Sequence, residues 1–482
     1  MHLSLWIALL VSLFSFGLQA NNLETGVGLS EEVRGSLCLI RADHKLIVVK
    51  ETFSRKLSLP GGTIDKGEDP KVTAERETWE ETGLIVNAVR QLGVTGKGVV
   101  YECVPQSRIV VFSHRQGLKG KALPAWFAPH FGIEVKDVLA IEPLLVTADE
   151  YRYPEQWSTI VNWTGDVTSY PVNYVDNLIN NGNAWQQFEL DGLNTLYQWA
   201  DEFEAVAAFI GFMILVSKVI ISPMLLGLSL VVAAWRGNIA IAQKLLFIQL
   251  LTVLMAVVAK FGFALPAPSQ FLGLVTEQNI GLSFPSVRAA LLAATTTFLF
   301  SLVSLNRIIK IVMGLTLAFA CLGMFVQSQV FLTDILFGSL LGYFVTRHFF
   351  KLAIAEQTQL SLLTQSRMTW LLLSVVAGGF ASVWYATSLL QVTALAATAF
   401  LVMNMANGRR LNTVRIHPIP SVICILFGYV LSEFIHSRIS YSAFYSLVVE
   451  VTFMPVILLC IYVLTLFSNS GRYLTRHKGK SS

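Results

Sequence analysis

Charge is scarce in this chain. Asp, Glu, Lys and Arg together make up 14% of 482 residues against 54% hydrophobic residues, and the formal net charge is only +4. That balance argues against a nucleic-acid polymer as partner, which would call for a dense basic face, and fits a polypeptide much of which lies in lipid. Cysteine is also sparse, at five residues, which is no disulfide framework. Cys321, Cys424 and Cys460 fall within apolar segments and read as core thiols. Cys38 and Cys103 lie in the polar first part, where the sequence is compatible with a bridge or with two buried strand thiols. No histidine occurs between Ala205 and Arg347, and His44, His114 and His130 show no ligand spacing, so they read as surface or turn residues.

What is present divides into two halves. Residues 21 to about 204 are mixed and polar, whereas from Ala205 onward the chain is mostly apolar runs long enough to span a bilayer. Residues 1–20, MHLSLWIALLVSLFSFGLQA, are an apolar run ending in a small-residue cleavage pattern, a signal peptide or signal anchor. Either way, the polar domain is expected on the extracytoplasmic side.

The stretch from Pro60 to Ile85, PGGTIDKGEDPKVTAERETWEETGLI, carries Gly62, Glu68, Arg76, Glu77, Glu80, Glu81 and Gly83. Asp69 before Pro70 predicts an N-cap and first helical residue, and Gly83 a left-handed stop, so a helix is expected over about 70–82. Glu77, Glu80 and Glu81 then share one face. Carboxylates crowded this way repel unless a cation neutralises them, and hard oxygen ligands suit Mg²⁺ or Mn²⁺. A solvated acidic face is the plain alternative; the Gly61-Gly62 turn just ahead of the helix favours the metal.

These residues resemble the Nudix box, G-x5-E-x7-R-E-U-x-E-E-x-G-U with U aliphatic, matching at each charged and glycine position and departing at Thr78. Seven such identities coincide by chance on the order of once in a hundred million at a given start. The resemblance implies an α+β domain over about 33–165, a Nudix α/β/α sandwich that splits a diphosphate joined to another moiety. It also implies roles: the Gly61 carbonyl, Glu77, Glu80 and Glu81 at the metal, Glu77 positioning or deprotonating water, Arg76 orienting Glu77, and Glu68 completing the site. Glu134 stands where relatives often place an extra carboxylate, and Tyr101 where some stack a base. Around the box, Gly35–Glu51 reads as two strands about an Ala42-Asp43-His44 turn, with further strands at 86–92, 98–103 and 109–113.

Residues 171–184 are Asn-rich and read as a linker. Aromatic and aliphatic residues from Trp185 to Phe203 then recur at helical spacing, so 171–204 is expected to end in an amphipathic helix, either on the membrane surface or packed on the first domain. The remainder predicts an all-α polytopic membrane domain of about nine transmembrane helices, near 205–234, 245–263, 287–305, 311–326, 330–346, 369–386, 388–406, 419–435 and 442–467, with a basic cytoplasmic tail at 468–482. Arg236, Lys244, Arg307, Lys310, Arg347, Lys351, Arg367, Arg409, Arg410, Arg415 and the tail would face the cytoplasm, whereas Lys260, Arg288 and Arg438 would not. This bias predicts an inner-membrane protein with its first domain outside.

Within residues 205–350, KFGFALPAP (260–268), SFPSVRAA (283–290) and SQVFLTDILFGSLLG (328–342) resemble the three signatures of the type 2 phosphatidic acid phosphatase superfamily. Ala267 and Gln329 replace its arginines, and Val287-Arg288 stands where Gly-His is expected. Without a histidine nucleophile the phosphohistidine route cannot run, so a degenerate fold is expected, in which Lys260, Ser286 and Arg288 are candidates to hold a lipid phosphate. Residues 367–467 add helices without a motif, and His417, Glu433 and His436 read as sealed helix-end residues. Three functions compete: a membrane-anchored diphosphohydrolase, a lipid phosphate or undecaprenyl diphosphate phosphatase acting through the membrane half, and a non-catalytic lipid-binding or transport protein. No feature of the sequence sets an oligomeric state.

Overall fold

The computed structural model describes residues 33–113, 120–236, 238–274, 281–302, 306–355, 364, 366–406, 418–439 and 442–478. The expected signal segment 1–20, His114, the loop with Arg409, Arg410 and Arg415, and Lys480 lie outside the described residues.

Strands β1 (Gly35–Leu39) and β3 (Lys45–Glu51) explain the layering of the first domain. Along them Cys38, Ile47 and Val49 enter one core with Ala74, Val99 and Val111, while Leu39, Leu46 and Val48 enter another with Trp157 and Ile160. Successive strand side chains point to opposite faces, so a run apolar on both needs cover on both sides. Helix α1 (Pro70–Thr82) covers the first through Ala74, and α2 (Pro154–Asp166) the second through Trp157 and Ile160. The α/β/α sandwich is therefore as the sequence predicts.

One sheet runs β5 (Gly61–Thr63), β1, β7 (Gly98–Pro105), β6 (Val86–Thr95). The other runs β11 (Ser169–Tyr170), β2 (Arg41–Ala42), β3, β10 (Val135–Ile141), β9 (Gly120–Leu123), with β4 (Leu57–Ser58) on β3. Strands β1 and β7 are parallel neighbours, and a Cys38–Cys103 disulfide joins them across a Cα separation of 5.4 Å. The bridge settles the alternative the sequence leaves open. The expected linker is partly a strand: β12 (Val172–Val175) pairs in parallel with β8 (Ile109–Phe112). Two valines and a tyrosine there have β propensity enough to override the surrounding asparagines.

Helix α3 (Ala184–Glu202) packs on the helical half rather than on the Nudix-like sandwich. Its Leu190 and Leu193 are buried with Phe271, Leu272 and Phe331, and the Glu189 carboxylate accepts the Leu332 N–H at 2.6 Å. Trp185, Phe188, Trp199 and Phe203 stay exposed along one stripe. After α3 the chain is all helical.

The expected count of nine spans is corrected. Among the described residues six helices are long and apolar enough to cross a membrane, Ile239–Phe263, Arg307–Val326, Arg367–Trp384, Thr387–Met405, Pro418–Ile439 and Ala443–Val463. A seventh arises if Glu204–Ile220 and Met224–Arg236, bent by 48° to one another, count as one span. Among the described residues Val287–Leu302 is a shorter apolar helix of 16 residues. Leu332–Ala355 carries Asp334, Arg347, His348 and Lys351 and is not among the six.

The two halves meet along a seam. The Trp126 and Phe271 rings lie 5.8 Å apart, a Cβ on Gly281 would come within 2.6 Å of the Phe131 ring, and Arg55 pairs with Glu433 at 3.6 Å.

Candidate functional site

Local chemistry fixes helix α1. The Asp69 carboxylate accepts the Lys71 N–H at 2.8 Å, Pro70 opens the helix, and Gly83 at φ +72° returns its N–H to the Trp79 carbonyl. One turn of this helix presents Glu77 and Glu80. Gly62 is needed opposite them, because a Cβ there would overlap the Glu77 carboxylate.

Arg76 sits among the acids. Its Nε and Nη2 donate to the two Glu68 oxygens at 3.0 and 3.1 Å, and its Nη1 lies 3.0 Å from Glu77 Oε1 and 2.8 Å from Glu80 Oε2. This two-pronged contact holds the Glu68 carboxyl down at about 2. Burial, against the pull of Arg76 and with the help of Glu80, pushes Glu77 up. Asp65, 3.8 Å from Nη2, is a fourth acid at this guanidinium, so the cluster keeps a net negative charge, a match for a divalent cation.

Glu77 and Glu80 are joined by His130. The three side chains offer ligand atoms that all lie within 4.8 Å of one another. Their donor set fits a divalent ion, and the bare Gly62 leaves room for the Glu77 carboxylate to join it. The His130 N–H donates to the Glu80 carbonyl at 2.8 Å, which seats the loop against the helix. Sequence reasoning missed His130: it lies 50 residues after Glu80 on a connecting segment, and no spacing pattern links the two.

The other expected residues take varied places. Glu81 is buried, and its Oε2 accepts the Gly61 N–H at 2.9 Å; burial pushes its carboxyl well up. It lies behind the Glu77–Glu80–His130 group and outside it. Glu134 comes to the rim, its Oε2 3.8 Å from His130 Nδ1. Tyr101 is not presented to any ligand: it is 4% exposed, packed in the core with Cys38 and Cys103, because it points inward from a strand covered on both faces.

In the helical half the three signature-like stretches converge. Lys260 Nζ donates to the Leu282 carbonyl at 3.1 Å, the Ser286 N–H to the Asp334 carbonyl at 3.1 Å, and Arg288 Nη1 to Gln329 Oε1 at 2.8 Å.

Comparison with known proteins concerns the amino-terminal unit. Residues 32–156 match the family model described as NUDIX domain, so the amino-terminal unit is a Nudix domain. A "MutT-like protein" of Streptomyces ambofaciens is 31% identical over 77 residues, which are 15% of this chain and 50% of that protein. The chain thus spans about half the length of the curated relative it matches. Among solved structures, an ADP-ribose pyrophosphatase from Streptococcus suis is 17% identical over 29% of this chain and 97% of its own, with a TM-score of 0.19. A Nudix hydrolase from Nitrosomonas europaea is 15% identical over 29% and 77%, with a TM-score of 0.21.

Proposed function

We propose that this protein is a membrane-anchored Nudix diphosphohydrolase that cleaves a phosphoanhydride bond in a nucleoside-diphosphate-type or lipid-linked diphosphate, with Mg²⁺ or Mn²⁺ bound. The observation that carries the reading is the convergence of Glu77, Glu80 and His130, whose ligand atoms lie within 4.8 Å of one another, beside Arg76. A divalent ion there supplies Lewis acidity and neutralises charge on the diphosphate oxygens. Arg76 keeps the carboxylates in place, and Glu77, more buried than Glu68 or Glu80, takes up a proton as water attacks phosphorus. The Cys38–Cys103 disulfide supports an extracytoplasmic domain, since such bridges persist in oxidising compartments.

The test is a diphosphate panel, including nucleoside diphosphate derivatives and a polyprenyl diphosphate, presented to the full chain in detergent with and without the ion. Glu77→Gln is expected to lower kcat about 10²- to 10⁴-fold while the protein stays folded. Undiminished turnover by that variant would refute the site.

A second role is proposed for the helical half: binding a lipid phosphate without turning it over. The convergence of Lys260, Ser286 and Arg288 near Asp334 and Gln329 supports it. Lipid co-purifying with the wild type and lost in Arg288→Ala is the expected result. Metal-independent phosphate release, unaffected by Glu77→Gln, would instead favour a phosphatase in this half.

A further inference from the structure

The ion at the Nudix site was expected to see oxygen alone. His130 changes that expectation. Its Nε2 lies 3.9 Å from Glu80 Oε2, too long for a hydrogen bond. Two ligands each about 2.1 Å from a common ion stand about 3.0 Å apart when adjacent and about 4.2 Å when opposed, so the gap is that of two groups sharing a cation. On the other side of the ring, Nδ1 is buried without a hydrogen-bond partner, and the nearest acid, Glu134 Oε2, is 3.8 Å away. A small shift closes that distance and fixes the tautomer that leaves Nε2 free to bind.

The loop bearing His130 is also held firmly. The His130 N–H bonds the Glu80 carbonyl, the Thr52 N–H bonds the Glu134 carbonyl at 2.7 Å, and Gly132 bonds Val135. Beyond these, Trp126 rests against Phe271 and Phe131 against Gly281, both of the helical half. Ligands presented from a clamped loop keep their geometry when the ion leaves.

We infer that His130 is a metal ligand alongside Glu77 and Glu80, with Glu134 as its positioning residue, and that this nitrogen tilts the site away from Mg²⁺ toward Mn²⁺ and other transition-series divalent ions. The reason is donor chemistry: imidazole binds such ions well, whereas Mg²⁺ keeps to oxygen and retains its waters. The inference rests on the proposed metal-dependent site but not on any substrate.

Mn²⁺ affinity of the full chain in detergent, read from the electron paramagnetic resonance of free Mn²⁺, tests it, with Mg²⁺ affinity obtained by competition and Co²⁺ loading followed by visible absorption. His130→Ala is expected to weaken Mn²⁺ about tenfold or more and to alter the Co²⁺ bands, leaving Mg²⁺ within about twofold; Glu134→Gln should weaken Mn²⁺ by a smaller factor. His130→Gln, which preserves bulk, should reproduce the loss, and circular dichroism identifies a variant that has failed to fold. Unchanged Mn²⁺ binding and Co²⁺ spectrum in both His130 variants would overturn the assignment even if Glu77→Gln abolishes turnover. Equal loss of Mg²⁺ and Mn²⁺ would overturn the selectivity. A chain that binds Mn²⁺ through His130 yet hydrolyses no diphosphate would sink the proposed activity and leave this inference standing.

Discussion

Asp137 shows how much one buried side chain contributes. It lies on β10 at 4% exposure, lining a small cleft with Phe112, Phe131, Gln270 and Gly273 at the seam, and its Oδ2 has no hydrogen-bond partner. Burial pushes its carboxyl up from 3.8 to about 6, against the pull of Lys136 and Lys50. Below about pH 4 the group is neutral in both folded and unfolded chains and costs nothing. Between about 4 and 6 the unfolded chain ionises first, so stability falls as pH rises, and above about 6 a penalty of about 3 kcal/mol persists. Asp137→Asn should therefore stabilise the Nudix domain at pH 7.5 by up to about 3 kcal/mol and be nearly neutral near pH 4. Unfolding curves at the two pH values check this, and an equal shift at both would contradict it.

At the scale of elements, the chemistry of caps and strands was readable in advance. Asp69, Pro70 and Gly83 delimit α1 because each acts on its own backbone or that of near neighbours, and the apolar strands announce themselves through unbroken β-branched runs. Contacts that depend on a partner far along the chain were not legible. His130 meets Glu80 only after β6 to β9 have been laid down, Tyr101 turns inward because both faces of β7 are covered, and residues 172–175 become a strand only because β8 offers an edge. The Cys38–Cys103 bridge belongs to this group. It spans 65 residues, and the loop-entropy argument gives it about 4 kcal/mol. Cys38→Ala/Cys103→Ala should lower the domain's unfolding free energy by a few kcal/mol, and reductant should destabilise the wild type to the same extent and the double variant not at all.

In the whole molecule, the seam makes the helical half a support for the segment that carries His130 in the proposed metal site. Gly281 stands at φ +72° with the Phe131 ring against it, so any side chain there meets both backbone strain and a clash. Gly281→Val is expected to displace the segment that carries His130, lowering Mn²⁺ affinity in the full chain although residue 281 is in the other half. Affinity equal to wild type, with the fold intact, would show that the two halves are energetically independent at this site. Composition alone revealed the helical half, but the number of spans depends on helix lengths that hydropathy does not fix.

In the proposed reaction a cation held by one turn of α1 and the facing loop drives hydrolysis of a phosphoanhydride. Phosphorus NMR of the full chain in detergent with the diphosphate panel, first stripped of metal and then reloaded with Mn²⁺, tests it most directly. No turnover is expected without the ion, with recovery on reloading and cleavage between two phosphorus atoms. Turnover that persists in the stripped protein, or an intact panel after reloading, would contradict it.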